Sequence, residues 1–138
     1  MKDLEKMRTW LQTYPGWQDD LKVDFLEPAP GNAGLFPEGL EIRSRQVDVL
    51  GNQLVTCRYR FTLYRQITGQ EDSADAAQWL LDFQDWVQQQ SAAGLAPCFG
   101  SLPEQENLQA QKGMLKQSGQ TKVYAVTLMA DFVRQYTA

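Results

Sequence analysis

The sequence predicts an α+β fold, a two-layer domain in which helices pack on one face of a mostly antiparallel sheet. Three observations carry that expectation. Residues 54–67 alternate apolar and polar side chains, the period of a half-buried strand. Ala76, Trp79, Leu80, Phe83, Trp86 and Val87 recur at the spacing of one helix face. Two turn signals, Gly51-Asn52 and Gln117-Ser118-Gly119-Gln120, join successive strands directly. With 138 residues, 43% apolar and 22% charged, the chain has the size and composition of a single domain spanning 1–138.

The first segment places Leu4, Met7, Leu11 and Tyr14 on one helical stripe with Trp10 beside them, and Pro15-Gly16 ends that helix. Leu21, Val23 and Phe25 then alternate with Lys22 and Asp24 as a short strand. From Glu27 to Gly39 the sequence EPAPGNAGLFPEG reads as a loop, because its prolines and glycines disfavour both a helix and a central strand. Leu35-Phe36 in that loop is either an apolar plug folded onto the core or an anchor offered to a partner.

Leu40–Val49 and Leu54–Ile67 read as a hairpin of two strands. In the second strand, Val55, Cys57, Tyr59, Phe61 and Leu63 share the core face, while Thr56, Arg58, Arg60, Thr62 and Tyr64 face solvent or a neighbour. In the first, Ile42 is out of phase with Val47 and Val49, which calls for a β-bulge or a switch of faces. Asp72 or Ser73 caps the long helix and Gly94 stops it. A loop at 96–103 leads to a weaker strand, Glu106–Lys116, and Thr121–Tyr136 is the last strand. It carries Tyr124, Val126, Leu128, Ala130 and Phe132 on one face and an unusually apolar set, Val123, Ala125, Met129 and Val133, on the other. The expected order is α-β-β-β-α-β-β.

Several classes of chemistry lack their residues. The chain contains no histidine, which removes Ser-His-Asp and Cys-His catalysis and histidine metal sites. Cys57 and Cys98 lack the spacing of a zinc site or a disulfide framework and read as reduced thiols. The carboxylate pairs Asp19-Asp20, Glu71-Asp72 and Glu104/Glu106 fall in turns or at a helix start, where solvation or capping explains them. GNAG lacks the rest of a phosphate-binding loop. No enzyme activity, cofactor or metal is therefore expected. Neither a secretory leader nor an apolar run of membrane-spanning length is visible, so no membrane contact is expected and the chain should remain in the cytosol. A net charge of −4 opposes specific nucleic-acid binding. The local arginines Arg43, Arg45, Arg58, Arg60 and Arg65 leave three readings of the Arg58/Arg60/Tyr64 face: a stacking and phosphate-contacting surface, a solvated face whose arginines pair with acids across strands, or a contact with acidic groups of another subunit.

The segments MKDLEKMRTWLQTYPGW, PAPGNAGLFPEG, RYRFTLYRQITGQED and WLLDFQDWVQQQSAAGLAP resemble a small minor capsid or minor structural protein of tailed phages and prophages of Firmicutes, over nearly the whole chain. The element order separately resembles the tail terminator family of long-tailed phages. That resemblance implies a protein that closes the head-proximal end of the tail tube as a hexameric ring and docks the head connector. Its partners would be itself, tail-tube proteins and connector proteins, with DNA passing through the ring, and its places the host bacterial cytoplasm during assembly and then the virion. An acidic lumen would keep the genome from sticking. The alternatives are another head-tail connector or minor capsid protein, or, from a different class, a nucleic-acid-binding module. The candidate partner contacts are Asn32, Leu35, Phe36, Arg58, Arg60, Tyr64 and Phe99, drawn from the Pro28–Pro37 loop, the arginine-bearing strand and the Pro97–Pro103 connection; the Gly69–Ser73 connection is a further candidate segment.

Overall fold

In a computed structural model, described for residues 2–15, 22–23, 33–67, 73–111, 113–118 and 121–138, the alternating segment becomes the central strand of the sheet. Helix α1 (Asp3–Leu11) is followed by β1 (Lys22–Val23), β2 (Ala33–Val47) and β3 (Gln53–Ile67). Helix α2 (Ser73–Ala92), a single 3-10 turn at Pro103–Gln105, β4 (Asn107–Ala110), β5 (Met114–Ser118) and β6 (Thr121–Tyr136) complete the chain. The spatial order is β1-β2-β3-β6-β4, with β5 also paired to β6. The α+β class and the helices on one face are as the sequence predicts.

Strands β3 and β6 pair antiparallel from Gln53↔Tyr136 to Ile67↔Lys122. Because side chains alternate, this register stacks Cys57 beside Phe132, Phe61 beside Leu128 and Leu63 beside Val126, all buried on one face. The two helices cover that face. Trp10 of α1 stacks on Trp86 of α2 with ring centroids 4.8 Å apart, and Tyr14 meets the edge of Phe83 at 5.2 Å. Met7, Leu11, Phe83 and Val87 are inaccessible to solvent, each side chain contributing roughly 1.5–3 kcal/mol by leaving water. Helix α2 ends in a Schellman turn: Gly94 adopts φ +72°, its N–H reaches Ser91 O at 3.2 Å, and Leu95 N–H reaches Gln90 O at 2.9 Å.

The strand β2 departs from the expectation in an instructive way. It begins at Ala33, inside the segment expected to be loop up to Gly39, and runs through Pro37. Pro37 is tolerated because described pairing on the far side of β2 is confined to β1, at Gly34 and Leu35, so the proline position demands no second ladder. Register shifts between Pro37 and Gly39 and between Ile42 and Ser44 insert two bulges. They resolve the phase conflict by the first of the two routes the sequence leaves open, placing Leu40 opposite Tyr59, Ile42 opposite Cys57 and Val47 opposite Gln53.

The β1 and β2 strands run parallel, and the other pairs are antiparallel, as a mostly antiparallel sheet allows. The strand expected over Glu106–Lys116 divides into β4 and β5, whose registers on β6 differ by one residue. Gly113 sits at this break, where a Cβ would crowd the Leu80 side chain of α2. Val49, expected to end a strand, instead lies in the β2–β3 turn. There the Asp48 carboxylate accepts from the N–H groups of Leu50 and Asn52 at 2.9 and 3.0 Å, and Gly51 takes φ +86°. Leu21, Phe25, Asn32, Asp72 and the turn residues Gly119-Gln120 lie outside the described residues.

Candidate interaction surface

Helices α1 and α2 do not reach across the whole sheet. Toward the β2–β3 turn, the helix-side face of β2 carries Leu40, Ile42 and Val47, which remain 47%, 55% and 57% exposed, and Val49 and Leu50 project from the turn itself. Clustered exposed aliphatic side chains on a sheet face mark a contact surface rather than scattered surface apolarity. A groove of about 390 Å³ continues this surface between the turn and the end of β6, lined by Val47, Asn52, Leu54 and Tyr136 among others.

The same stretch of β2 is a sheet edge. Beyond Leu35, none of the described strands pairs with its outer side. The opposite margin of the sheet is treated differently at β4. The Leu108 N–H donates to the Ser91 hydroxyl at 3.2 Å, and Gln84 of α2 donates its side-chain amide to Gln111 O at 2.8 Å. Helix α2 thus occupies backbone positions along β4 that a neighbouring strand would need.

The face of the sheet away from the helices carries a charge ladder. Glu41, Arg58 and Asp131 stand side by side on β2, β3 and β6. Arg58 forks onto Asp131 with Nε 2.6 Å and a terminal nitrogen 3.1 Å from the two carboxylate oxygens. Arg60 and Arg43 share Glu41, at 3.3 and 3.1 Å. Slight desolvation of the Glu41 carboxyl is outweighed by the Arg60 hydrogen bond and the Arg43 charge, which hold it below the usual carboxylate range. Glu38, the residue of the first bulge, accepts a hydrogen bond from the Thr62 hydroxyl. Arg65 lies over the Trp79 ring at 4.4 Å. Of the arginines that leave a nucleic-acid reading open in the sequence, Arg43, Arg58 and Arg60 are thus engaged with acids on this face, and Arg65 with an aromatic ring on the helix side.

The residues expected as partner contacts separate into two groups. Phe36 and Tyr64 remain partly exposed and meet edge to face at 5.1 Å on the same face as Arg58 and Arg60, so the sheet brings these four together. Leu35 is fully buried, which resolves Leu35-Phe36 as a core plug at its first residue. Phe99 is buried against Tyr59 and Phe132, with centroids 5.3 and 5.9 Å away. Both side chains serve the core, where another chain does not reach them. Asn32 lies outside the described residues.

A polar cluster that sequence reasoning missed fastens α1 to the sheet. The Tyr59 hydroxyl donates to Asp3 at 2.6 Å, while an Arg134 terminal nitrogen donates to Asp3 at 2.9 Å and to the Tyr59 oxygen at 3.1 Å. Arg134 Nε reaches Phe99 O at 3.3 Å, and Lys6 reaches Cys98 O at 3.0 Å. Burial, with the hydrogen bond to Asp3, raises the Tyr59 phenol above its ordinary range. Such a phenol keeps its proton at neutral pH and clamps elements together.

A cleft of about 90 Å³ beside Cys98 is lined by Glu106 and Asp131 as well. Glu106 accepts from Phe99 N–H at 2.7 Å and Gly100 N–H at 3.2 Å, Asp131 holds Arg58, and burial together with the Glu106 charge pushes the Cys98 thiol up. The carboxylates are committed to structure, and a raised thiol pKa lowers the thiolate fraction a nucleophile requires.

No helix among the described residues is long and apolar enough to cross a membrane. No protein-family model matches this chain, and no curated protein shows significant similarity to it. The fold defines a class, a small two-layer α+β protein with a mostly antiparallel sheet.

Proposed function

We propose that this chain is a structural subunit of a phage or prophage head–tail junction, a tail terminator that self-associates into a ring and joins the tail tube to the head connector without catalysing a reaction. The observation that carries the reading is exposed Leu40, Ile42 and Val47 on β2, a strand along which no described strand pairs beyond Leu35 on the outer side. An edge strand with an apolar flank is a ready template for another polypeptide, and soluble proteins normally blunt such edges unless a partner covers them. The sequence resemblance supplies the phage context, with assembly in the host cytoplasm and residence in the virion. Another head–tail connector or minor capsid protein would use the same kind of surface and differ in its neighbours.

The nucleic-acid alternative draws less support from the geometry, because Arg58 and Arg60 are engaged by Asp131 and Glu41 rather than presented to phosphates. A gel shift with single-stranded oligonucleotides at about 50 mM salt separates the readings, since phosphate-driven binding is strongest at low salt. No shift is expected, and saturable binding would favour the alternative. For the assembly reading, deletion of the gene from an inducible prophage should yield tails of irregular length or tails unattached to heads in electron micrographs. Normal infectious particles would overturn it.

A further inference from the structure

The helix layer ends before the sheet does, and the uncovered stretch of β2 carries a particular order of side chains. Ile42, Arg45 and Val47 stand opposite Cys57, Val55 and Gln53 of β3, so the bulge between Ile42 and Ser44 keeps all three on the helix-side face. Ile42 and Val47 are 55% and 57% exposed. Arg45 between them is also exposed, and no carboxylate among the described residues lies within ion-pair distance of it. Residues 24–32 link Val23, opposite Leu35, to Ala33; a chain of that length that must return reaches at most about 17 Å, whereas Ile42 is about 23 Å along β2 from Leu35.

Helix α2 presents the matching order on its outer side. Leu81, Asp85, Gln88 and Ala92 recur at i, i+4, i+7 and i+11 as one stripe, and all four are exposed. Asp85 accepts from the Gln89 side-chain amide of its own helix at 2.8 Å, and no cation faces it there. No lysine or arginine occurs between residues 66 and 111, whereas residues 40–65 hold five arginines against two acids. The spacings agree as well. Along β2, Arg45 is about 7 Å from Val47 and about 10 Å from Ile42. Along α2, Asp85 is about 6 Å from Leu81 and about 10 Å from Ala92.

We propose that the exposed β2 flank receives the outer stripe of α2 from a second copy of this chain, the helix running antiparallel to β2 with Leu81 on Val47, Asp85 on Arg45 and Ala92 on Ile42. The proposal rests on the self-association reading above and names the two surfaces that perform it. The groove of about 390 Å³ lined by Val47 and Tyr136 gives the Leu81 side chain room. A helix laid on this part of the sheet continues the layer that the chain's own helices leave unfinished. The Arg45–Asp85 pair fixes the register, with apolar contacts on either side of it. Because flank and stripe are different patches, the contact is heterologous: each copy offers its flank to one neighbour and its stripe to another, and repetition closes into a ring when the rotation allows.

A contact between unlike patches has a direct test. In the full chain carrying Cys98→Ser to remove the exposed thiol, Val47→Cys and Leu81→Cys are made as separate proteins. A short bis-maleimide should link the two variants when they are mixed and should leave each by itself unlinked. Sedimentation between roughly 10 µM and 1 mM, the range of weak association, should show assembly that weakens with salt. Arg45→Glu, which brings like charges together, should weaken it by at least about tenfold. Mixing that variant with Asp85→Lys should restore it, since every contact then joins opposite charges. Circular dichroism checks that each variant folds. Cross-linking of Val47→Cys by itself would make the contact two-fold and overturn the proposal. Assembly indifferent to Arg45→Glu, with no link between residues 47 and 81, would overturn it too while leaving self-association to another surface. A monomer throughout, unlinked in the mixture, would remove self-association as well and leave the flank to a different protein. Normal particles from the gene deletion would instead remove the phage reading while leaving this contact intact.

Discussion

Arg134 shows how one side chain far along the sequence decides the placement of an element. Its guanidinium bonds Asp3 of α1, the Tyr59 hydroxyl and the Phe99 carbonyl, and it lies 4.9 Å from the Phe132 ring centroid. Replacing it with Met keeps the aliphatic stem but removes a charged donor from Asp3, which keeps the Tyr59 hydroxyl and Lys6, and takes the side-chain donor from the Phe99 carbonyl. We expect Arg134→Met to lower stability by about 1–3 kcal/mol, the range for losing hydrogen bonds to charged, partly buried groups, as read from urea unfolding. The same cluster sets an alkaline limit. Burial raises the folded-state pKa of Tyr59, and that of the Cys57 thiol, above their ordinary values of 10.0 and 9.0. In that window the unfolded chain releases protons that the folded chain retains, so stability is fully present below about pH 9 and falls as pH rises beyond it. Thermal melts across pH 7–11 should show this decline, and Tyr59→Phe should make it shallower above pH 10; a pH-independent melting temperature would remove the phenol from this role.

At the scale of elements, α2 depends on the way it stops. Gly94 has φ +72°, and a Cβ placed there meets nothing within 4 Å, so Gly94→Ala adds backbone strain without a clash. It should cost about 1 kcal/mol, and Gly94→Asn, which accepts the left-handed conformation more readily, should cost less in the same unfolding assay. Helix α2 and strand β3 were legible because strict periods of 3.6 and 2 leave little choice of which residues go inward. The start of β2 was not. The PAPGNAGLFPEG segment has loop composition, yet Ala33 onward enters the sheet because an edge strand tolerates Pro37 and a bulge at Glu38 absorbs the phase error. Pairing direction was equally hidden: the parallel match of β1 with β2 depends on the path of the connection, which composition does not specify. The division of the β4–β5 segment was also hidden: Gly113 lies there close to Leu80 of α2, a tertiary contact with no local signature.

The arrangement of the whole molecule gathers these local features into one exposed surface. Helices cover one part of the sheet and leave Leu40, Ile42 and Val47 exposed on β2. The sequence pointed to the outward Arg58/Arg60/Tyr64 face, and the structure does bring Phe36 to it. It could not show that Leu35 and Phe99 go inward, since loop composition carries no information about burial. The uncovered flank also escaped notice, because apolar residues in β2 read as core until the reach of the helices is known. The Asp3–Tyr59–Arg134 cluster joins residues separated by 56 and 75 positions, a proximity that only the fold creates. The proposed function predicts that the exposed β2 flank is required for assembly. The most direct measurement is complementation of the gene deletion in trans, with particles counted by electron microscopy. Wild-type protein should restore heads joined to tails of uniform length. A folded Leu40→Glu/Ile42→Glu variant should leave heads and tails separate or tails irregular, and full rescue by that variant would contradict the claim that this surface does the assembling.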